Sequence, residues 1–361
     1  MQNNKIKILF ILPHLKAGGA ERVISFIHNE INKNTFTPHL LVIGYKKDNI
    51  YPTINTNVTY LSEKRLRNVP LRVMILVHKI KPDIVFSSMG HINLYLGFLK
   101  NLFPKIKFIA REASIYSVMK TFTRHILLPN FILNFLYSSL DLIVFQSLEM
   151  KNDFNKNFKI SPHKTCIINN PITFSNRSDF IYFNKPLLPY KFITVGSLVK
   201  NKGHFRILNI FKLIDFDFKF NIVGDGPMRS EIELKVEKLH LSNSTSFLGL
   251  QKDLTKIYKN TDFLIQGSYV EGFPNAVLEA LSFGIPCLIF EAPGGHNELI
   301  IENFNGMIIK KSDNLTEVIN NFVSFNWNRK LISDDAYKRF NSSKILDQYE
   351  KIFKIIIKIN C

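Results

Sequence analysis

Two glutamates on either side of a helix start are the residues in this sequence best suited to chemistry. Glu271 and Glu279 are separated by seven residues, and Pro274 between them suits the first position of a helix, where its missing N–H would be unpaired anyway. The amides after Pro274 would then point out of the helix start, where the positive end of the dipole attracts anions such as a diphosphate. Glu279 falls one turn beyond Asn275, so both carboxylates could accept hydrogen bonds from sugar hydroxyl groups. The alternative is a structural role for both residues. Glu271 would be a negative charge that interacts favourably with the helix dipole, and Glu279 would be a solvated glutamate on the helix.

A glycine pair offers a second place where a ligand could reach the backbone. Gly18 and Gly19 connect the first predicted strand to the first predicted helix. Without side chains they allow a phosphate or a sugar to approach the helix start closely. The pair is not a dinucleotide-binding fingerprint, because no Gly-x-Gly-x-x-Gly follows the strand.

Two alternating series of strands and helices must position these residues. Short apolar runs separated by helical patterns are typical of parallel strands buried on both faces of a sheet. The predicted strands are residues 6–12, 39–43, 83–87, 107–110 and 140–145 in the first half, and 192–195, 220–223, 245–248, 263–265 and 287–290 in the second. The pattern breaks near Pro171, which biases the preceding residue toward an extended conformation and suits a hinge. The sequence predicts an α/β protein of two Rossmann-like doubly wound domains, residues 1–169 and 170–361, facing each other across a cleft, with the last helix able to pack back on the N-terminal domain.

The chain is strongly basic, with a formal net charge of +18 over 361 residues. Two causes compete: an anionic partner such as nucleic acid or a membrane surface, or an AT-rich coding sequence that supplies much Lys, Asn, Ile and Phe. Nucleic acid is disfavoured, because no recognised nucleic-acid module occurs and the aromatic residues lie in apolar runs. Residues 119–136 mix basic, aromatic and aliphatic side chains, which suits either docking on an anionic leaflet or a buried helix pair under loops.

The cysteines and the first residues indicate the compartment. Cys166, Cys287 and Cys361 show neither an even pairing nor the spacing of metal ligands, as expected in a reducing environment. Residues 6–12 are too short for the apolar core of a signal peptide, and no stretch spans a bilayer without interruption. We expect a cytoplasmic protein without a structural metal.

The segment around the two glutamates closely resembles the signature of retaining glycosyltransferases of family 4, the glycosyl transferases group 1, of the bacterial surface-polysaccharide type. Their pattern is a glutamate, seven residues and a second glutamate. The resemblance implies that Glu271 contacts the donor sugar, that Glu279 binds the ribose hydroxyls and that the helix start binds the diphosphate. The residues of that helix start are Asn275, Ala276, Val277 and Leu278.

Further segments resemble the family in order and spacing. Lys202 stands where the family has a lysine that neutralises the pyrophosphate, which implies a catalytic role shared with Glu271. Gly224 resembles the family's turn below the nucleotide, and Leu248 the strand end that meets the base. Gly19 matches the glycine that faces the donor across the cleft.

The chain departs from the family pattern at two places. Ser197 stands where an arginine is usual, so half of the positive charge expected at the pyrophosphate is missing, and Lys200 or Arg206 could supply it. Arg111 and Glu112 stand near a position where many relatives have a histidine, so no catalytic histidine is carried over. Both are candidates for contacts on the acceptor side, with an ordinary strand-end ion pair as the alternative.

The resemblance implies the GT-B fold and transfer with retention of the anomeric configuration, without a metal or a cofactor. The donor would be a UDP-hexose or UDP-N-acetylhexosamine. The acceptor would be a polyprenyl-diphosphate-linked glycan at the inner face of the cell membrane, in surface polysaccharide, O-antigen or lipopolysaccharide biosynthesis. In the family the acceptor hydroxyl attacks as the diphosphate leaves, and the departing phosphate takes the proton. The alternatives are a catalytically silent homologue that binds nucleotide sugars and a sugar-nucleotide epimerase of similar fold.

Overall fold

Two parallel β-sheets flanked by helices organise the chain in the computed structural model, which describes residues 5–16, 18–51, 53–54, 57–122, 128–173 and 186–358. The first unit comprises Met1–Thr173 and Ser342–Cys361, and the second comprises Phe174–Asn341. The sequence placed the division between residues 169 and 170. In the structure the chain leaves the first unit after Thr173 and returns to it for the last helix.

Thirteen strands and fourteen α-helices lie in the described residues. The strands are β1 (Ile6–Leu12), β2 (Phe36–Val42), β3 (Val58–Tyr60), β4 (Ile84–Ser87), β5 (Lys107–Arg111), β6 (Leu142–Phe145), β7 (Thr165–Ile167), β8 (Tyr190–Val195), β9 (Phe218–Val223), β10 (Thr245–Gly249), β11 (Phe263–Gln266), β12 (Cys287–Phe290) and β13 (Gly306–Ile309). The helices are α1 (Gly19–Glu30), α2 (Pro70–Ile80), α3 (Gly90–Leu102), α4 (Tyr116–Phe122), α5 (Asn130–Ser139), α6 (Leu148–Asn157), α7 (His204–Phe211), α8 (Arg229–Lys238), α9 (Thr255–Lys259), α10 (Asn275–Ser282), α11 (His296–Leu299), α12 (Leu315–Ser324), α13 (Arg329–Phe340) and α14 (Ser342–Lys358).

Both sheets are doubly wound. The strand order is β3-β2-β1-β4-β5-β6-β7 in the first unit and β10-β9-β8-β11-β12-β13 in the second, with parallel pairing throughout. The order reverses between β1 and β4 and again between β8 and β11. At such a reversal, loops on either side diverge and leave a crevice at the carboxyl ends of the strands, where ligands bind in folds of this kind. The predicted α/β architecture with two doubly wound domains is confirmed.

The core of the first unit joins the two ends of the chain. Strands β1 and β4 are fully apolar at their centres, and Phe10 and Phe86 meet edge to face with ring centroids 5.7 Å apart. From α14, Tyr349 and Phe353 pack on Phe86 at 5.9 and 5.5 Å. Burial of these aromatic rings fixes α14 against the sheet of the first unit.

Candidate active site

The reversal of strand order in the second sheet brings Lys202 and Glu271 together. Lys202 lies in the loop after β8, Glu271 lies in the loop after β11, and the Lys202 Nζ is 2.5 Å from the Glu271 Oε1. The loops approach closely because Gly203 has a φ of +63° and no side chain; a Cβ there would collide with the carbonyl oxygen of Gly267. The sequence placed these two residues 69 positions apart, and the fold makes them one site.

Three donors converge on one oxygen of Glu271. Besides Lys202, the Gln266 Nε2 donates to Oε1 at 2.9 Å and the Ser268 Oγ donates to it at 2.7 Å. Burial alone would raise the pKa of Glu271, but the positive charge of Lys202 and the hydrogen bonds outweigh burial and hold that pKa below its usual value. Glu271 is therefore a buried, ionised carboxylate. Its other oxygen, Oε2, has no hydrogen bond within the described part of the chain.

A second glycine pair supports the backbone of the Glu271 loop. The Glu271 N–H donates to the Pro293 carbonyl at 3.1 Å, and the Gly295 N–H donates to the Gly272 carbonyl at 3.0 Å. Gly294 has a φ of +131°, and a Cβ at this position would collide with the Glu271 carbonyl oxygen. This close backbone contact fixes the position of Glu271 at the edge of the sheet.

Helix α10 begins next to this carboxylate. The sequence placed Pro274 at the first helical position, which is wrong by one residue: Pro274 is the extended cap, with φ −74° and ψ 95°, and the helix starts at Asn275. The first helical hydrogen bond runs from the Leu278 N–H to the Pro274 carbonyl at 3.1 Å, so the helix itself does not use the amides of residues 275–277. Binding of a diphosphate by Asn275, Ala276, Val277 and Leu278 stays a prediction.

Glu279 is buried rather than solvated. Only 5% of it is exposed, and the Tyr258 hydroxyl from α9 donates to its Oε2 at 3.1 Å. The alternative of a solvated helix glutamate is therefore wrong. A carboxylate kept in such a position costs stability. Its contact with the ribose stays a prediction.

The side chain of Arg206 binds the backbone of the loop that follows β11. Its Nε and Nη2 donate to the Gly267 carbonyl at 2.9 and 2.6 Å, and Nη2 also donates to the Ser268 carbonyl. The guanidinium carbon lies 4.1 Å from the ring centre of Tyr269 and 4.4 Å from that of Phe290. Arg206 is therefore engaged in shaping the loop that carries Glu271.

Which residue supplies the charge missing at Ser197 stays a prediction, and the structure places the two candidates differently. Ser197 is exposed in the loop between β8 and α7, and so is Lys200. Of the two substitutes that the sequence left open, Arg206 binds backbone carbonyls, whereas the Lys200 side chain is exposed and makes no hydrogen bond or ion pair with the residues that the structure describes. The sequence could not separate them, because both lie within ten residues of Ser197.

The remaining donor-side residues surround the carboxyl ends of β8, β9 and β10. Gly224 has a φ of +133°, and a Cβ on it would collide with the Gly196 carbonyl oxygen. The Gly224 N–H donates to the Gly249 carbonyl at 2.9 Å. Leu248 is half-buried in the last residues of β10. Because these residues are glycines, no side chain covers their backbone at this edge of the sheet. Binding of a nucleotide at Gly224 and Leu248 stays a prediction.

In the first unit the glycine pair lies at the start of α1. Helix α1 begins at Gly19, and Gly18 is its extended cap. The carboxylate of Glu21 folds back on Gly18 so closely that a Cβ on Gly18 would collide with it. Burial raises the pKa of Glu21 to about 7. The sequence did not single out Glu21. The signal that could have indicated it is a glutamate in the first turn of a helix that follows a glycine pair.

Arg111 is a structural residue of the first unit. Its side chain is fully buried, and it donates to the Tyr349 hydroxyl at 3.1 Å, to the Ser88 hydroxyl at 2.6 Å and to the Asn170 Oδ1. These partners come from α14 and from two strand ends. A guanidinium without exposed surface does not reach a substrate without rearrangement, so Arg111 ties α14 to the carboxyl edge of the sheet.

Glu112 lies beside Arg111 in a buried network of neutral groups. Its Oε1 accepts a hydrogen bond from the Asn93 Nδ2 at 2.8 Å, and the Tyr137 hydroxyl also donates to the carboxylate. Burial raises the pKa of Glu112 to about 7, against the opposing effects of these hydrogen bonds and of Arg111. The sequence left open an ordinary ion pair between Arg111 and Glu112. Within the described residues, neither side chain forms an ion pair. An acceptor contact by Glu112 stays a prediction.

Three comparisons with known proteins agree with this fold. Residues 178–339 match the family model described as glycosyl transferases group 1. A 4-α-N-acetylgalactosaminyltransferase of Campylobacter jejuni, named for N-acetylgalactosamine-N,N'-diacetylbacillosaminyl-diphospho-undecaprenol, is 24% identical over 362 residues, which cover 97% of each chain. The lipopolysaccharide outer core galactosyltransferase WaaB aligns with a TM-score of 0.73 at 19% identity, over 97% of this chain and 99% of its own. HepE of Anabaena, in complex with UDP and glucose, aligns with a TM-score of 0.78 at 16% identity and the same coverage.

The two doubly wound units thus form a GT-B architecture. The chain is a glycosyltransferase, and its residues 178–339 are similar to the glycosyl transferases group 1 family.

Proposed function

We propose that this enzyme transfers a sugar from a UDP-hexose or UDP-N-acetylhexosamine to a polyprenyl-diphosphate-linked glycan, with retention and without a metal or cofactor, in surface polysaccharide or O-antigen biosynthesis. The observation that carries the proposal is the Lys202–Glu271 ion pair at the reversal point of the second sheet, beside the start of α10. A protein of the same fold holds UDP and glucose, which supports the donor class. The Campylobacter relative is named for a diphospho-undecaprenol acceptor, which supports the acceptor class.

The charges at this site suit departure of a diphosphate. Lys202 is held by an ionised carboxylate before any ligand arrives, so its charge is preorganised. A diphosphate at the start of α10 would meet this ammonium group and the positive end of the helix dipole, which together do the work that a metal ion does elsewhere. Glu271 and Glu279 would accept hydrogen bonds from the hydroxyls of the donor.

A lipid-linked acceptor requires a surface that can approach a membrane, and the first unit exposes an apolar one. Six large apolar side chains on α2, α3 and α5 are between 49% and 74% exposed: Leu71, Ile75, Phe98, Leu102, Phe131 and Phe135. The helices are neighbours, because the Tyr95 hydroxyl of α3 donates to the Pro70 carbonyl of α2 at 2.6 Å, and Gly97 of α3 packs on the Leu136 carbonyl of α5. We name this surface the α2–α3–α5 face.

The charge around this face has the sign that an anionic leaflet attracts. The helices α2, α3 and α5 contain three lysines and arginines, Arg72, Lys79 and Lys100, and no Asp or Glu. Exposed apolar side chains with surrounding basic residues suit interfacial binding. No helix in the described ranges is long and apolar enough to cross a membrane.

The docking segment predicted at residues 119–136 forms only part of this face. Residues 123–127 lie outside the described residues, as do the side chains of residues 119, 120 and 122. Phe131 and Phe135, which are described, are exposed, so a wholly buried helix pair does not account for the segment. The face also includes α2 and α3, which the sequence did not single out.

The test is a transfer assay without metal. The purified enzyme, with EDTA present, is incubated with UDP-glucose, UDP-galactose and their N-acetylhexosamine counterparts, each with a polyprenyl-diphosphate-linked N-acetylhexosamine. The proposal predicts that the acceptor gains the mass of one sugar and that UDP is released. UDP binding without a product would favour the silent homologue, and a changed nucleotide sugar without acceptor would favour the epimerase.

A further inference from the structure

A buried phenol lies against the helix that carries Glu279. Tyr258 in α9 is fully buried, and its hydroxyl donates to the Glu279 Oε2 at 3.1 Å. Its ring packs on that of Phe283, with the ring centroids 5.1 Å apart. Glu279 and Phe283 are four residues apart, so both lie on the same side of α10 and its last turn. Tyr258 thus contacts the carboxylate with its hydroxyl and the end of the helix with its ring.

Arg329 holds the ends of α9 and α10 together. It is the first residue of α13 and is buried; its Nη2 donates to the Thr261 carbonyl at 3.0 Å and its Nε to the Gly284 carbonyl at 3.1 Å. Thr261 follows α9, and its N–H donates to the Tyr258 carbonyl at 3.1 Å. Gly284 follows Phe283 at the end of α10. The phenol and the carboxylate therefore lie on two helices whose ends are fixed to one guanidinium group.

This arrangement fixes Glu279 and leaves its carboxylate able to accept further hydrogen bonds. A free glutamate side chain explores several rotamers, and a ligand that needs one of them must order it on binding. At this position burial and the Tyr258 hydroxyl order the carboxylate beforehand. An ionised carboxylate accepts several hydrogen bonds at once, so it can bind the phenol together with neighbouring hydroxyl groups of a ligand. The ribose of a nucleoside diphosphate offers two such hydroxyl groups side by side, whereas a 2′-deoxyribose offers one.

We propose that Tyr258 is the positioning residue that sets Glu279 to accept both hydroxyl groups of a ribose, and that this pair makes the site select ribonucleoside diphosphate sugars over their 2′-deoxy counterparts. This inference rests on the proposed function, in which Glu279 accepts hydrogen bonds from hydroxyls of the donor. A site built to hydrogen-bond a hydroxyl group rejects the analogue that lacks it, because a buried polar group of the site is left unpaired. That penalty requires a carboxylate that cannot turn away to another partner, and the hydrogen bond from Tyr258 prevents this turn.

The first experiment measures binding of UDP and of 2′-deoxy-UDP to the full chain by calorimetry, without an acceptor. We expect the wild type to bind UDP about tenfold or more tightly than 2′-deoxy-UDP, as loss of one hydrogen bond to a charged group predicts. Tyr258→Phe removes only the hydroxyl and keeps the ring against Phe283; the preference should fall to about threefold or less, because the carboxylate can then adopt other rotamers. Tyr190→Phe is the matched control. Tyr190 begins β8, and its ring packs on Phe216 and Phe263, so the preference should keep its wild-type value.

A double-mutant cycle tests whether the phenol acts through Glu279. Glu279→Ala should remove the preference, and adding Tyr258→Phe to it should change the affinity for UDP by less than about twofold. If Tyr258→Phe weakens binding of both nucleotides equally and keeps the preference, the phenol only supports the fold, and the proposal is overturned. A wild type that binds UDP and 2′-deoxy-UDP equally also overturns it, and this measurement does not depend on the folding of any variant.

The same measurements separate this proposal from the proposed function. An enzyme that binds UDP with the expected preference but transfers no sugar contradicts the proposed function and supports the role of Tyr258. GDP and 2′-deoxy-GDP are measured in parallel. Binding of GDP in place of UDP would count against a UDP-sugar donor, and the preference for GDP over 2′-deoxy-GDP would then decide this proposal. A wild type that binds none of the four nucleotides overturns both.

Discussion

Replacing Glu112 by Gln should make the protein more stable at alkaline pH relative to wild type. The folded protein raises the pKa of Glu112 from 4.5 to about 7, so it holds this proton more tightly than the unfolded chain does. Stability from this group is therefore fully present below pH 4.5 and is lost as pH rises through about 7. The full loss is about 3 kcal/mol, and about 2 kcal/mol of it falls between pH 5.5 and 8. Glutamine keeps an oxygen for the Asn93 amide but has no charge to bury.

The assay is thermal unfolding of both proteins between pH 5.5 and 8, compared as the difference between variant and wild type. Glu21 shifts stability in the same direction but is present in both proteins, so its effect cancels. Glu30→Gln, at an exposed carboxylate on α1, is the matched control and should give a difference that does not change with pH. A constant difference for Glu112→Gln as well would refute the inference that the buried Glu112 ionises near neutral pH.

The remaining predictions concern the candidate active site and the α2–α3–α5 face. Lys202→Ala should lower kcat about a hundredfold, as expected for removal of one preorganised electrostatic partner; an unchanged rate at saturating donor would contradict this role. Glu279→Ala should weaken UDP binding about tenfold or more by calorimetry, and unchanged affinity would remove Glu279 from the nucleotide site. Arg206→Leu should lower kcat together with the melting temperature, since the Gly267 carbonyl loses its donors; a lower melting temperature with full kcat would mean that catalysis does not depend on the hydrogen bonds of Arg206 to this loop. Ile75→Ser combined with Phe131→Ser should reduce co-sedimentation with anionic vesicles about tenfold or more, and binding that ignores the double change would exclude the α2–α3–α5 face.

The fold was largely predictable because its central strands are continuous apolar runs. β1 and β12 have the predicted bounds, and the other predicted strands differ from the observed ones by a few residues at their ends. β3, β7 and β13 were missed, since they are three or four residues long and lie at sheet edges. Strands at an edge are less buried, so their sequences show a weaker apolar pattern.

The residues of the candidate site that lie in one segment of the sequence could be predicted. Those whose role depends on contacts between separate loops could not. Glu271 and Glu279 could be singled out because they flank one helix start. Gln266 and Ser268 gave no comparable signal, because their role depends on the Glu271 carboxylate turning back toward them. Arg206 was offered as a phosphate partner because sequence distance alone places it near Ser197. Its actual partners follow from tertiary packing of the β8 and β11 loops.

The most direct test of the central claim is the product of the transfer reaction in EDTA with wild type and Lys202→Ala side by side. The proposed function predicts that the polyprenyl-diphosphate-linked acceptor gains the mass of one hexose or N-acetylhexosamine, that one UDP appears per sugar transferred, and that the variant does this about a hundredfold more slowly. UDP binding by the wild type without any gain in acceptor mass, across all four UDP-sugars, would contradict it.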